Sequence, residues 1–163
     1  MKKTWKILIV DDDVSILRSY QKYLESEGFS VATAKDGEEG FNKTLKERPD
    51  IILMDINMPV KTGLELLEDL NRELDTVPLC IMLTAYGDLE AAVRATRLGA
   101  YDFLTKPVPL EKLKLSISRG IEKITLTEHV AHVIKDDSEF RDTIVGRDPS
   151  MIEIYKTIGT LQG

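Results

Sequence analysis

A chain of 163 residues, 42% of them hydrophobic, buries one sizeable core with some length left over, whereas two domains of ordinary size would be crowded. Twenty-eight acidic residues against 22 lysines and arginines give a net charge of −6 with no basic run, which argues against direct nucleic-acid contact by this chain. One cysteine, Cys80, leaves no partner for an internal disulfide, and no segment has the length to cross a bilayer, so a cytoplasmic protein without membrane contact is expected.

Short apolar runs recur at residues 7–10, 31–34, 51–54, 79–83 and 101–104, separated by stretches with helical periodicity. The first helix is predicted to turn Val14, Ile16, Leu17, Tyr20 and Leu24 inward and to stop at Gly28. A second follows Asp36-Gly37 and ends before Pro49. A third carries the Leu64 to Leu70 stripe and runs out before Pro78, and an alanine-rich fourth spans Leu89 to Leu98 and ends at Gly99. Strands this apolar are covered on both faces, which predicts a five-stranded parallel sheet with right-handed crossovers and helices on either side, a doubly wound α/β sandwich. Cys80 sits inside an apolar run and reads as a buried core thiol.

After Pro109, Leu110, Leu113, Ile117, Ile121 and Ile124 keep a helical spacing, but Leu126, Val130, Val133 and Ile134 project from nearly the opposite side. A domain helix that packs first on the sheet and then on a second chain accounts for that change of face, although Gly120 weakens a heptad reading. Asp136-Asp137-Ser138 breaks the apolar pattern, and residues 144–163 are too few to build a core.

Ligands of doubly wound sheets bind beyond the carboxyl ends of the strands. Asp11, Asp12 and Asp13 end the first run, Asp55 ends the third, Thr84 the fourth, and Lys106-Pro107 follows the fifth. Carboxylates crowded into one crevice repel one another and call for a cation. Mg²⁺ takes one or two carboxylates while keeping waters and phosphate oxygens. Asp12 and Asp55 suit direct ligation, Asp11 a water-mediated role, and Asp13 the start of the first helix. A carboxylate nucleophile, a divalent cation, a lysine and a hydroxyl are together the parts of an acyl-phosphate chemistry. The rival reading is a haloacid-dehalogenase-type phosphatase, with Asp11-x-Asp13 as its D-x-D motif and Asp11 as nucleophile. His129 and His132 lie one helical turn apart without a third ligand and read as a solvated face.

Four segments carry a family resemblance: Ile-Leu-Ile-Val-Asp-Asp-Asp from Ile7, Leu-Met-Asp-Ile-Asn-Met-Pro around Asp55, Met-Leu-Thr-Ala-Tyr through Thr84, and Gly-Ala-Tyr-Asp-Phe-Leu-Thr-Lys-Pro ending at Pro107. Together they resemble the receiver domain of bacterial two-component response regulators, whose fold is the flavodoxin-like, CheY-like sandwich. The resemblance implies that Asp55 is phosphorylated by a cognate sensor histidine kinase. It places Asp11, Asp12, Asp55 and the backbone carbonyl of Asn57 around Mg²⁺, makes Thr84 and Phe103 a switch pair, and sets Lys106 against a phosphoryl oxygen. It further implies a cis Lys106-Pro107 peptide and a role for Asn57 and Tyr86 in the lifetime of the phosphorylated state. The segment from Ile144 to Gly159 resembles the first residues of the AAA+ module of NtrC/DctD-type, sigma-54-dependent activators, with Arg147-Asp148 departing from the usual pair. That resemblance implies a receiver domain over 1–122, a dimerising helical linker over 123–141 and the start of an ATPase module over 142–163. No P-loop occurs in the chain, so ATP hydrolysis, DNA binding and contact with sigma-54 RNA polymerase would belong to a longer, homodimeric protein.

Overall fold

Five apolar runs become five parallel strands: β1 (Lys6–Val10), β2 (Ser30–Ala34), β3 (Ile51–Asp55), β4 (Leu79–Thr84) and β5 (Asp102–Thr105). Between and after them lie α1 (Val14–Ser26), α2 (Gly37–Glu47), α3 (Gly63–Glu73), α4 (Leu89–Arg97) and α5 (Leu110–Arg141). The computed structural model describes residues 3–85 and 88–141; Tyr86 and the segment 142–163 lie outside the described residues, as does the side chain of His132. The chain divides into two compact units, Met1–Gly120 and Ile121–Gly163.

In the first unit the strand order is β2-β1-β3-β4-β5. Successive strands lie next to each other except where the chain leaves β2 and crosses β1 to start β3, so the direction of winding reverses beside β1. β1 pairs with β3 from Ile7↔Ile51 to Val10↔Met54, a register that brings the residues following Val10 alongside the end of β3. One sheet face, including Leu8, Val10, Ile52, Met54, Cys80 and Met82, packs against Leu66, Leu67 and Leu70 of α3 and Ala91 and Ala95 of α4. The alternate strand positions Ile7, Ile9, Ile51, Leu53 and Ile81 are equally buried. Both faces are therefore covered, the condition under which a parallel sheet is stable.

Helix ends follow local chemistry. Asp13 accepts hydrogen bonds from the backbone N–H groups of Ser15 and Ile16 and caps α1, and Asp36, Thr62 and Asp88 cap α2, α3 and α4 in the same way. Gly28, at φ +95°, supplies the left-handed residue that stops α1. Asp13→Ala is expected to cost about 1 kcal/mol, read as a lower denaturant midpoint at unchanged slope.

One expectation needs correction. Leu17, Tyr20 and Leu24 are buried, but Val14 is 45% exposed and Ile16 only partly covered. Val14 is the first residue of α1, ahead of the turn at which the helix settles onto the sheet. The acidic run at Asp136 interrupts the apolar pattern without interrupting α5, because Asp and Ser cost a helix interior only a few tenths of a kcal/mol, roughly, where Gly or Pro would cost more. Gly120 also has a packing role: a Cβ there would meet a Leu79 methyl at 3.0 Å. Cys80 is fully buried, and burial pushes its thiol up to about 12, which makes it inert at neutral pH. Among the described residues no helix is long and apolar enough to cross a membrane.

Candidate functional site

Asp11, Asp12 and Asp55 meet at the carboxyl ends of β1 and β3, each offering an oxygen within 4.8 Å of the others. Asp11 and Asp55 are buried and Asp12 is exposed. The Asp11 backbone N–H donates to the Ala34 carbonyl at 3.1 Å, extending the β1–β2 ladder by one residue and holding the acid at the strand end. Its Oδ1 accepts the Asp13 N–H at 2.9 Å.

Lys106 completes the cluster from the far side. Its backbone N–H donates to the Thr84 carbonyl at 2.8 Å, and its peptide bond to Pro107 is cis, as expected. Its Nζ then lies 2.7 Å from Asp11 Oδ2 and 3.2 Å from Asp55 Oδ2. One cation thus bridges two buried carboxylates, the counter-ion position in which the sequence pattern set Lys106. Burial by itself would lower the Lys106 ammonium, but Asp11 and Asp55 outweigh it and hold its pKa above the ordinary lysine value. For Asp55 the balance differs: burial raises its carboxyl and Asp11 adds to the rise, against the opposing effect of Lys106 and the Asn57 N–H.

Thr84 is buried at the end of β4, and its hydroxyl donates to the Ala85 carbonyl at 2.9 Å. Asn57 is exposed, and its backbone N–H reaches Asp55 Oδ1 at 3.2 Å. Phe103 on β5 pairs in register with Met82, two residues before Thr84, and is 43% exposed. The cluster therefore brings Asp11, Asp12, Asp55 and Lys106 together, sets Thr84 at its rim, and leaves Phe103 on the surface.

The donor set, all carboxylate oxygens at a mouth open to water, fits a hard divalent cation rather than a soft metal. Asp13, by contrast, uses its carboxylate to cap α1. Asp13 is not among the acids that meet at the cluster, which speaks against a D-x-D pair with Asp11.

The β3–α3 connection is fitted to this site by close approach of backbone. Gly63 N–H donates to the Ile56 carbonyl at 2.9 Å, and a Cβ on Gly63 would lie 2.3 Å from the Asp55 carbonyl oxygen. The sequence pattern singles out neither Gly37 nor Lys61 as part of this arrangement. A Cβ on Gly37 would stand 2.5 Å from the Lys61 carbonyl oxygen, so the start of α2 rests directly on the loop. No local pattern marks these contacts, because their partners are far apart in the chain.

The fold and its acidic cluster define the receiver class of signalling domain. Residues 7–118 match the response regulator receiver domain family, and the chain belongs to it. Among its relatives is the C4-dicarboxylate transport transcriptional regulatory protein DctD of Pseudomonas aeruginosa, 31% identical over 159 residues, 96% of this chain and 34% of DctD. The DNA-binding transcriptional regulator NtrC of Klebsiella pneumoniae is 34% identical over 153 residues, 94% of this chain and 32% of NtrC. The chain spans about a third of the length of these curated relatives. Of solved structures, a CheY-like receiver domain protein from Methanospirillum hungatei JF-1 is 36% identical with a TM-score of 0.70, covering 74% of this chain and 96% of that one. The receiver domain of NtrX from Brucella abortus is 32% identical with a TM-score of 0.67, covering 71% and 98%. The chain is a response regulator receiver domain homologous to the NtrC/DctD regulators, and its phosphoacceptor role follows from the family.

Proposed function

We propose that Asp55 accepts a phosphoryl group from the phosphohistidine of a sensor kinase and that the surrounding side chains convert its arrival into a change of surface. The observation that carries this reading is the shared cation: Lys106 Nζ touches both Asp11 and Asp55, so the acceptor lies beside a group that can take over a phosphoryl oxygen. An Asp55 oxygen attacks phosphorus, the P–N bond to the kinase imidazole breaks, and the imidazole leaves with that electron pair. Attack of water on phosphorus later releases inorganic phosphate and restores the carboxylate. Asp11, Asp12, Asp55 and the Asn57 carbonyl would hold Mg²⁺, which when bound neutralises phosphoryl oxygens during transfer.

Lys106 already lies against the acceptor and needs only to shift from Asp55 to the new phosphoryl group. The Thr84 hydroxyl, now bonded to the Ala85 carbonyl, has to rotate away from it to reach the same group. That rotation frees space beside β5, and the half-exposed Phe103 ring turns inward to fill it. Coupling of this kind typically amounts to ~1–3 kcal/mol, enough to redistribute the α4–β5–α5 surface between two states.

The helical segment 123–141 is read as a linker that pairs with a second copy, supported by Leu126 and Val133, which are 64% and 44% exposed. The relatives' names support a transcription regulator as the whole protein, and a cytoplasmic location goes with that reading. In it, a sigma-54-dependent AAA+ ATPase beginning near residue 142 and a DNA-binding part would lie outside the receiver, which itself catalyses only its own phosphorylation and dephosphorylation.

Incubation with acetyl phosphate and Mg²⁺, followed by peptide mapping, tests this reading. One phosphoryl group per chain on Asp55, lost slowly and without repeated turnover, is the expected result. Label on Asp11 with many turnovers would instead identify a phosphatase. The Asp13→Ala variant separates the two again, since it keeps full labelling here and loses activity if Asp13 is half of a D-x-D motif.

A further inference from the structure

We infer that Lys61 and Asp69 form a pin that positions the phosphoacceptor loop, so that cation affinity and the rate of Asp55 phosphorylation depend on an ion pair outside the acidic cluster. This inference rests on the function proposed above and names two positioning residues for it. The loop from Ile56 to Thr62 is under local tension. Val60 has φ +67°, a region that β-branched residues rarely enter, and the Lys61 N–H closes a three-residue turn onto the Pro59 carbonyl at 2.7 Å. Val60 is 75% exposed, so its own side chain contributes little packing to hold that conformation.

The restraint comes from the next residue. The Lys61 ammonium forms an ion pair with Asp69 on α3 and stands 5.4 Å from the centre of the Phe41 ring on α2. Its backbone lies against Gly37 at the start of α2. Both partners are mostly covered, with 26% of the Lys61 side chain and 16% of that of Asp69 exposed. Arg72 adds a second cation to Asp69 at 2.5 Å, and these cations hold the Asp69 carboxyl below its usual range, the Lys61 hydrogen bond foremost. Lys61 thus fastens the loop to α2 and α3 at once. The residues it restrains are those whose backbone serves the acceptor: Asn57 through its N–H to Asp55, and Gly63 through its contact with the Asp55 carbonyl. Preorganisation of a reacting group is lost steeply with small displacements, which gives a remote pin its leverage.

Lys61→Met, Asp69→Asn and the double variant, with Lys61→Arg as control, test the inference. Each is first shown by thermal unfolding to be folded at the assay temperature, as the loss of one partly exposed ion pair allows. Mg²⁺ affinity is then measured by calorimetry, and the rate of labelling by acetyl phosphate by mass spectrometry. A pin predicts that Lys61→Met and Asp69→Asn both lower Mg²⁺ affinity and labelling rate, by roughly three- to tenfold, that the double variant falls no further, and that Lys61→Arg stays near wild type. A merely electrostatic influence would move the two single variants in opposite directions, because one removes a positive and the other a negative charge. That outcome overturns the inference, as do unchanged affinity and rate accompanied only by a lower melting temperature. If the wild-type chain itself takes no label on Asp55, the proposed function fails instead, and the two failures are distinct.

Discussion

Asp55→Asn is expected to lose acyl-phosphate formation altogether, roughly a thousandfold or more below wild type, while the metal-free protein becomes harder to unfold at neutral pH. The first effect follows because an amide offers phosphorus no anionic oxygen at position 55, beside the Lys106 ammonium. The second follows from the direction of the Asp55 shift, caused first by burial and then by the nearby Asp11 charge. An acid whose folded pKa lies above its unfolded value binds its proton more tightly in the native state. Its ionisation therefore costs stability at pH values above the folded pKa, and that cost disappears as pH falls through it. Asparagine removes the cost, so the variant's advantage in melting temperature should be greatest at neutral pH and shrink on acidification. Thermal melts in chelator from neutral to acidic pH check this, and a variant less stable than wild type at neutral pH would contradict it. By the same shift, the labelling rate of the wild type should fall on the acid side sooner than that of an ordinary aspartate.

Gly63→Ala is expected to be the most damaging small substitution near the site. The added methyl would stand 2.3 Å from the Asp55 carbonyl oxygen and 3.0 Å from the Ile56 Cα, and both are backbone atoms that cannot rotate aside. Relief requires α3 to move off the sheet or the end of β3 to shift. The first loosens the packing of Leu64, Leu66 and Leu67. The second displaces Asp55, the proposed phosphoacceptor. The expected loss is about 2–4 kcal/mol of stability, together with a fall in labelling rate of roughly a hundredfold. Urea denaturation and initial-rate labelling at low temperature measure the two effects separately. Near-wild-type values in both would overturn the claim that this close approach holds Asp55 in place.

Sequence and structure divide the explanation of this protein along physical lines. Five apolar runs separated by amphipathic stretches are local patterns, and they determined the strands, the helices and the carboxyl-end position of Asp11, Asp55, Thr84 and Lys106 without reference to any tertiary contact. Asp13 as a helix cap and Gly28 as a helix stop were legible for the same reason, since each acts within a few residues of itself. Long-range packing decided the rest. That Lys106 bridges two carboxylates across 95 and 51 positions of chain depends on β1, β3 and β5 ending at the same level, which no local pattern encodes. Val14 lost its expected burial because amphipathic spacing says which way a side chain points and not where the helix first meets the sheet. The pairing of Lys61 with Asp69 and the contact of Gly37 with the β3–α3 loop were invisible for a related reason. A lysine in a turn and a glycine after a cap look ordinary until the fold sets two helices against them.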